Sequence, residues 1–294
     1  MMKPHLLTLA LAVIIAWLMM QSFQSVTMKH SRGAENNAYE RVIKSGTLRC
    51  AYSLWEPAVM RDPNTGEMSG LIYDFMQEVG KALNIKVEYN LEVPWDSVPT
   101  ALKTNKADAH CAGIWATAAR GRVMAFSNPL FFSPVVAFAR ADDGRFNFNL
   151  DNINKPDITI AISDDDITTE IYSHDFPNAK KYELPLFSPP EELFLAIASR
   201  KADVTINNPS RLQTFNKNNP DQVKVIPNYT PLRIFPNVVA VDIREVELQN
   251  MLNTAIEQLL NSRAMEKIAA KYKAKGFDMS FMVPANRGYS WEGH

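Results

Sequence analysis

The chain has 294 residues, 46% hydrophobic and 21% charged, a composition that excludes a disordered tail, a collagen-like fibre and a polytopic membrane protein. Its 31 basic and 32 acidic residues leave a net charge of −1, which argues against a nucleic-acid partner, and its 2 cysteines exclude a four-cysteine zinc centre or a disulfide-stapled miniprotein. A chain of this length forms about two domains, or one large bilobed unit.

Residues 6–20, LLTLALAVIIAWLMM, are uncharged and follow Lys3. As a helix they rise only about 22 Å, short of the ~30 Å hydrocarbon core, which is the pattern of a secretory signal. No Ala-x-Ala follows, and Ser31-x-Gly33 is a weak cleavage signal, so the segment also suits an uncleaved anchor that tethers the protein to the inner membrane. Residues 21–39 are polar with little periodicity and read as a linker.

Residues 47–52 read as a strand, followed by a loop with Trp55, Pro57 and a turn over 62–66. Apolar positions 71, 72, 75, 76, 79, 82 and 83 form a helical stripe. Residues 85–89 alternate as a strand, 95–102 suit a short helix, and 107–114 are an apolar strand. After a polar stretch over 142–155 the plan repeats: strand 158–162, a helix opening at 168–172, helix 191–199 and strand 202–206. Strand 238–241 precedes an amphipathic helical stretch over 245–272 with acids early and lysines late, matching the helix dipole. Two α/β units of similar plan imply two lobes facing a cleft.

These segments resemble the periplasmic solute-binding proteins of the polar amino-acid type, bacterial extracellular solute-binding protein family 3. The resemblance covers roughly residues 39–277 and rests on motifs in family order: Arg41-Val-Ile-Lys-Ser-Gly-Thr-Leu-Arg49, Gly70-Leu-Ile-Tyr-Asp-Phe-Met76, Trp95 with Pro99-Thr-Ala-Leu102, and Lys106-Ala-Asp-Ala109. Thr117-Ala-Ala-Arg120 with Phe126-Ser-Asn-Pro129 is the most specific, and residues 195–204 are its second-lobe counterpart. The resemblance implies an α/β clamshell: two mainly parallel sheets, hinged by two strands near residues 135–140 and 235–241. Lobe 1 would comprise residues 34–138 and 238–294, lobe 2 residues 139–237, with residues 1–33 as signal or anchor. It also implies a periplasmic monomer that delivers a small solute to the permease of an ABC importer, without a cofactor.

The resemblance makes Arg120 the group for the ligand carboxylate, and a guanidinium fork suits one. Trp55 stands where the family has an aromatic wall, with Tyr52 a weaker neighbour, whereas Trp95 reads as core. Two positions depart from the family pattern. Trp115 stands five residues before Arg120 in place of a hydroxyl, and Asn208 stands five residues after Asp203 in place of the carboxylate that holds an ammonium group. Both remain ligand-site candidates, and together they favour a carboxylate without an α-ammonium. Asp164, Asp165 and Asp166 either cap a helix or hold a ligand cation. The resemblance implies that the strands of Cys50 and Cys111 are neighbours; an oxidising compartment would allow a disulfide, but free thiols are favoured over it, because directly adjacent strands often give poor disulfide geometry. The five histidines lack metal-ligand spacing, and His110 reads as structural.

The leading function is therefore a binding module for a carboxylate-bearing solute, amino-acid-like or an organic acid, and not an enzyme. The alternatives are a dehydratase of the same fold acting on a prephenate- or arogenate-like acid, which needs a positioned acid or base, and a tethered sensor or accessory subunit.

Overall fold

The computed structural model describes residues 17, 19–20, 37–163, 167–185, 188–189, 191–228, 230–279 and 282–284. The signal or anchor segment, apart from residues 17, 19 and 20, therefore lies outside the described residues, as do Asp164, Asp165 and Asp166. Among the described residues no helix is long and apolar enough to cross a membrane.

Helix α1 (Ala38–Ser45) starts within the stretch read as linker; the Asn37 side chain accepts from the Glu40 N–H, and Gly46, at φ 66°, ends the helix. It leads into β1 (Thr47–Tyr52), the hairpin β2 (Met60–Arg61) and β3 (Met68–Ser69), and α2 (Leu71–Leu83), whose stripe of Leu71, Ile72, Phe75, Met76 and Val79 is buried. After β4 (Lys86–Glu92), a 3-10 turn at Trp95–Ser97 enters α3 (Val98–Lys103), where Pro99 occupies the first turn and forfeits no helical hydrogen bond. Then follow β5 (Ala109–Trp115), β6 (Met124–Phe126), β7 (Phe131–Arg140), β8 (Thr159–Ser163), α4 (Thr168–Asp175) and β9 (Lys180–Leu184). Helix α5 (Glu191–Ala198), β10 (Val204–Asn207), α6 (Pro209–Asn216), β11 (Val223–Val225) and β12 (Arg233–Asp242) complete the second half. The C-terminal part holds α7 (Val246–Asn261), α8 (Ala264–Ala274) and β13 (Val283–Pro284). The single helical stretch expected over 245–272 is thus two helices, because Arg263 adopts the left-handed conformation (φ 59°) and turns the chain between them.

The fold is the expected two-lobed α/β architecture. In the first lobe β1 lies between β4 and β5, all parallel; in the second, β8 lies between β9 and β10, also parallel. The ten-residue strands β7 and β12 run antiparallel to each other; β12 also pairs with β5 and β6, and β7 with β10 and β11. Because these two strands belong to both halves, the sheets join into one hydrogen-bonded path. Each half has its own core. Phe75, Met76, Leu248, Leu252 and Met265 are buried together in the first, so α7 and α8 return to the first lobe, and Phe146, Ile160, Ile162, Ile171 and Ile206 are buried together in the second.

The Lys-Ala-Asp triplet does the same work in both lobes. Asp108 is buried and accepts the backbone N–H of Arg49 on β1 at 2.9 Å; Asp203 accepts the N–H of Thr159 on β8 at 3.0 Å. Arg41 and Arg49 neutralise Asp108, and Arg145 meets Asp203 at 2.6 Å. Burial alone would raise the pKa of Asp108, but the hydrogen bonds from Arg49 and Arg41 outweigh it and hold the carboxyl below its ordinary range.

One expectation is corrected here. Cys50 and Cys111 are not free thiols but form a disulfide, with Cα atoms 5.6 Å apart. The register pairs Cys50 with Ala109, so Cys111 is its diagonal neighbour rather than the residue directly opposite, and the two side chains meet within ordinary disulfide span.

Candidate ligand-binding site

A cavity of about 830 Å³ lies in the cleft, lined from both halves of the molecule. This size suits a small organic ligand. Its first-lobe wall carries Trp55, Trp95, Trp115 and Arg120; its second-lobe wall carries Ser163, Ile167, Thr168, Ile206, Asn208 and Arg211.

Trp55 sits in the loop after β1, fixed by mutual backbone bonds with Val59 (N–H to O, 2.9 Å and 2.8 Å). Its ring lies 6.3 Å from that of Phe131 and is 5% exposed. Gly113 makes room for it: at φ +76°, a Cβ there would stand 2.4 Å from Ile72 Cδ1 and 3.5 Å from Trp55 Cζ3. The indole Nε1 of Trp55 donates to Ser210 Oγ on α6 at 2.9 Å, and Lys217 meets Glu56 at 2.6 Å, so the lobes touch across the cleft.

Arg120 begins a 3-10 turn just past β5. Its backbone N–H donates to Thr117 Oγ1 (3.3 Å), and its Nη1 donates to the carbonyl of Trp115 (3.1 Å), which steers the guanidinium along the cavity wall. Trp115, the last residue of β5, stacks on Phe235 of β12 with ring centroids 5.1 Å apart at 20°. It forms an aromatic surface where a small hydroxyl would leave open space.

Asn208 lines the cavity, but its amide is committed elsewhere. Oδ1 accepts from the Ser210 N–H at 2.9 Å, capping α6, and Nδ2 donates to the carbonyl of Pro134 at 3.4 Å. Tyr52 is placed away from the cavity. Its ring packs on Tyr89 at 5.6 Å and its hydroxyl accepts from Arg61 at 3.4 Å, because β1 turns that side chain toward the first-lobe core.

Trp95 is both core and wall. It packs edge-on to His110 at 5.4 Å and also faces the cavity, because the 3-10 turn at Trp95–Ser97 lifts it to the cleft rim. His110 is fully buried, and Ser53 Oγ is its 3.3 Å neighbour at Nε2. Burial first, and then the positive charge of Arg120, depress its pKa to about 3, so the imidazole is neutral at pH 7.

Sequence reasoning missed Arg211. It lies three residues after Asn208 on the first turn of α6, and the signal available was the Asn-Pro pair at 208–209, a helix start that places the next residues on the cleft. Among the described residues no group of His, Cys, Asp and Glu side chains is arranged to hold a metal ion.

The chain matches the family model for bacterial extracellular solute-binding proteins, family 3, over residues 48–275. It is 27% identical over 215 residues to a protein of Neisseria gonorrhoeae named a probable histidine-binding protein, covering 71% of this chain and 76% of that one. Its fold is similar to the ancestral amino acid-binding protein AncCDT-1, described as a precursor of cyclohexadienyl dehydratase, with a TM-score of 0.67, 24% identity, and coverage of 80% of this chain and 99% of that one. It is also similar to an ancestral arginine-binding protein bound to arginine, with a TM-score of 0.64, 22% identity, and coverage of 77% and 98%. With a family model spanning most of the chain and the two-lobed fold built around a cleft, the protein belongs to the bacterial extracellular solute-binding proteins, family 3.

Proposed function

We infer that the protein is an exported receptor that captures a small carboxylate-bearing solute in its interlobe cleft and passes it to the permease of an ABC importer. The observation that carries this reading is Arg120, held on the wall of a cavity that is otherwise largely aromatic and apolar. A guanidinium in such surroundings favours a carboxylate partner, and the three tryptophans suit an apolar or planar body. The lobes, taken as residues 34–138 with 238–294 and residues 139–237, would close on the solute about β7 and β12. The N-terminal segment would direct export to the periplasm and either leave or remain as an anchor.

The Neisseria relative is named for histidine and a structural neighbour holds arginine. Both are carboxylates, which agrees with the role given to Arg120. The head-group chemistry differs at Asn208, whose amide is spent on capping α6 and carries no charge for an ammonium group. The solute is therefore a carboxylate recognised through something other than an α-amino group at that position.

A thermal-shift screen of small carboxylates, with and without an α-amino group, tests this reading, followed by titration calorimetry on the hits. A carboxylate that binds should raise the melting temperature by mass action. If amines bind and no carboxylate does, the reading fails. Turnover of a bound acid, followed by chromatography, would move the assignment to the dehydratase alternative.

A further inference from the structure

Arg211 has no part in the reading above. Its side chain lines the same cavity as Arg120, from the opposite lobe. Among the described residues its guanidinium makes no hydrogen bond and no ion pair. Arg41, Arg49, Arg140, Arg145 and Arg233 each meet a carboxylate. Burial pushes the pKa of Arg211 down, and the field of Glu191 only partly offsets this. A guanidinium nonetheless stays charged at neutral pH. The side chain is half-buried, and a cation that faces the cavity without a described protein partner favours an anionic ligand there.

The remaining charge on the wall does not supply that anion. Asp96, the acidic side chain among the described lining residues, is exposed and belongs to the rim of the first lobe. The described cavity thus has a cationic group on each lobe, with Trp55, Trp95 and Trp115 on the first-lobe side.

We propose that Arg211 is a second anion-binding pole of the cleft, and that the solute is a dianion: one acid group on Arg120, the other on Arg211, and an apolar or aromatic body against the tryptophans. This rests on the carboxylate reading and narrows it from acids in general to acids with two negative groups. The two poles lie on different lobes, so such a solute links them and favours closure, whereas a mono-acid meets Arg120 alone.

The test is calorimetry with matched pairs that differ by one acid group: phthalate against ortho-toluate, phenylsuccinate against its analogue with one carboxylate replaced by methyl, and L-glutamate against L-glutamine. The diacid of at least one pair should bind about 30-fold or more tightly than its partner, the loss typical of a truncated buried charge pair. In Arg211→Gln that preference should collapse to within about threefold, while mono-acid affinity holds. The apo melting temperature of Arg211→Gln should stay level or rise, because no described protein partner is lost. Equal affinity of mono-acid and diacid, with binding abolished by Arg120→Gln, overturns this inference and leaves the carboxylate reading standing. A preference that survives Arg211→Gln also overturns it. A lowered apo melting temperature with unchanged preference means that a group of the protein itself satisfies Arg211, and overturns it equally. Absence of binding by every acid of the series removes both readings.

Discussion

The indole N–H of Trp55 donates to the hydroxyl of Ser210 at 2.9 Å, joining the loop after β1 to the first turn of α6 across the cleft. The bond is buried and links residues 155 apart in sequence. Because it joins two halves that each have their own core, a movement that parted the lobes would break it without unfolding either one. Ser210→Ala should weaken ligand binding by about 1 kcal/mol, near fivefold, chiefly through faster release. Stopped-flow dissociation of a bound carboxylate checks this; an unchanged off-rate removes the bond from the closing mechanism.

Arg120→Ala should cost roughly 2–5 kcal/mol of binding, because it leaves a carboxylate desolvated without its charged partner. Folding should change much less, since Arg120 stands on the cavity wall rather than in either core. Calorimetry on the variant, paired with a melting curve, separates the two effects.

His110 makes stability depend on pH in a definite direction. Its pKa is about 3 in the folded protein and near 6.5 when unfolded. The unfolded chain therefore binds the extra proton first as pH falls below 6.5, and the native state loses up to ~1.4 kcal/mol for each pH unit on the way down to about 3. The contribution is complete above the unfolded value. Urea midpoints between pH 7 and 4 should fall for the wild type and fall less steeply for His110→Gln. Parallel curves for the two proteins would exclude His110 as the source.

The Cys50–Cys111 bond closes a loop of 61 residues within the first lobe. In the chain-entropy account a loop of this length is worth about 4 kcal/mol, and removing such a bond typically costs about 2–5 kcal/mol. The double Cys→Ala variant should therefore melt earlier while keeping the cavity walls, and its affinity for a carboxylate should stay within about twofold. A loss of affinity with intact folding would tie the bond to the site, through Gly113 and Trp115 further along β5.

Sequence alone determined the parts governed by local pattern. The stripe over residues 71–83, the strands at 47–52 and 158–162, and the order of motifs around Arg120 specified two α/β units and the family, because burial on one face imposes its period on the residues themselves. Tertiary structure decided what depends on who meets whom. The register of β1 against β5 made a disulfide of two cysteines that looked too directly opposed, and the turn at Arg263 broke one long helical pattern into α7 and α8. The site divides in the same way. Arg120, Trp55 and Trp115 were legible because they stand at motif positions. Asn208 was legible too and lines the cavity, but its amide is committed to capping α6. Tyr52 faces the core, Trp95 reaches the cleft through a 3-10 turn, and Arg211 enters from the other lobe. No local period encodes a side chain's distance to a residue some 90 positions away; only the packing of the two lobes sets it.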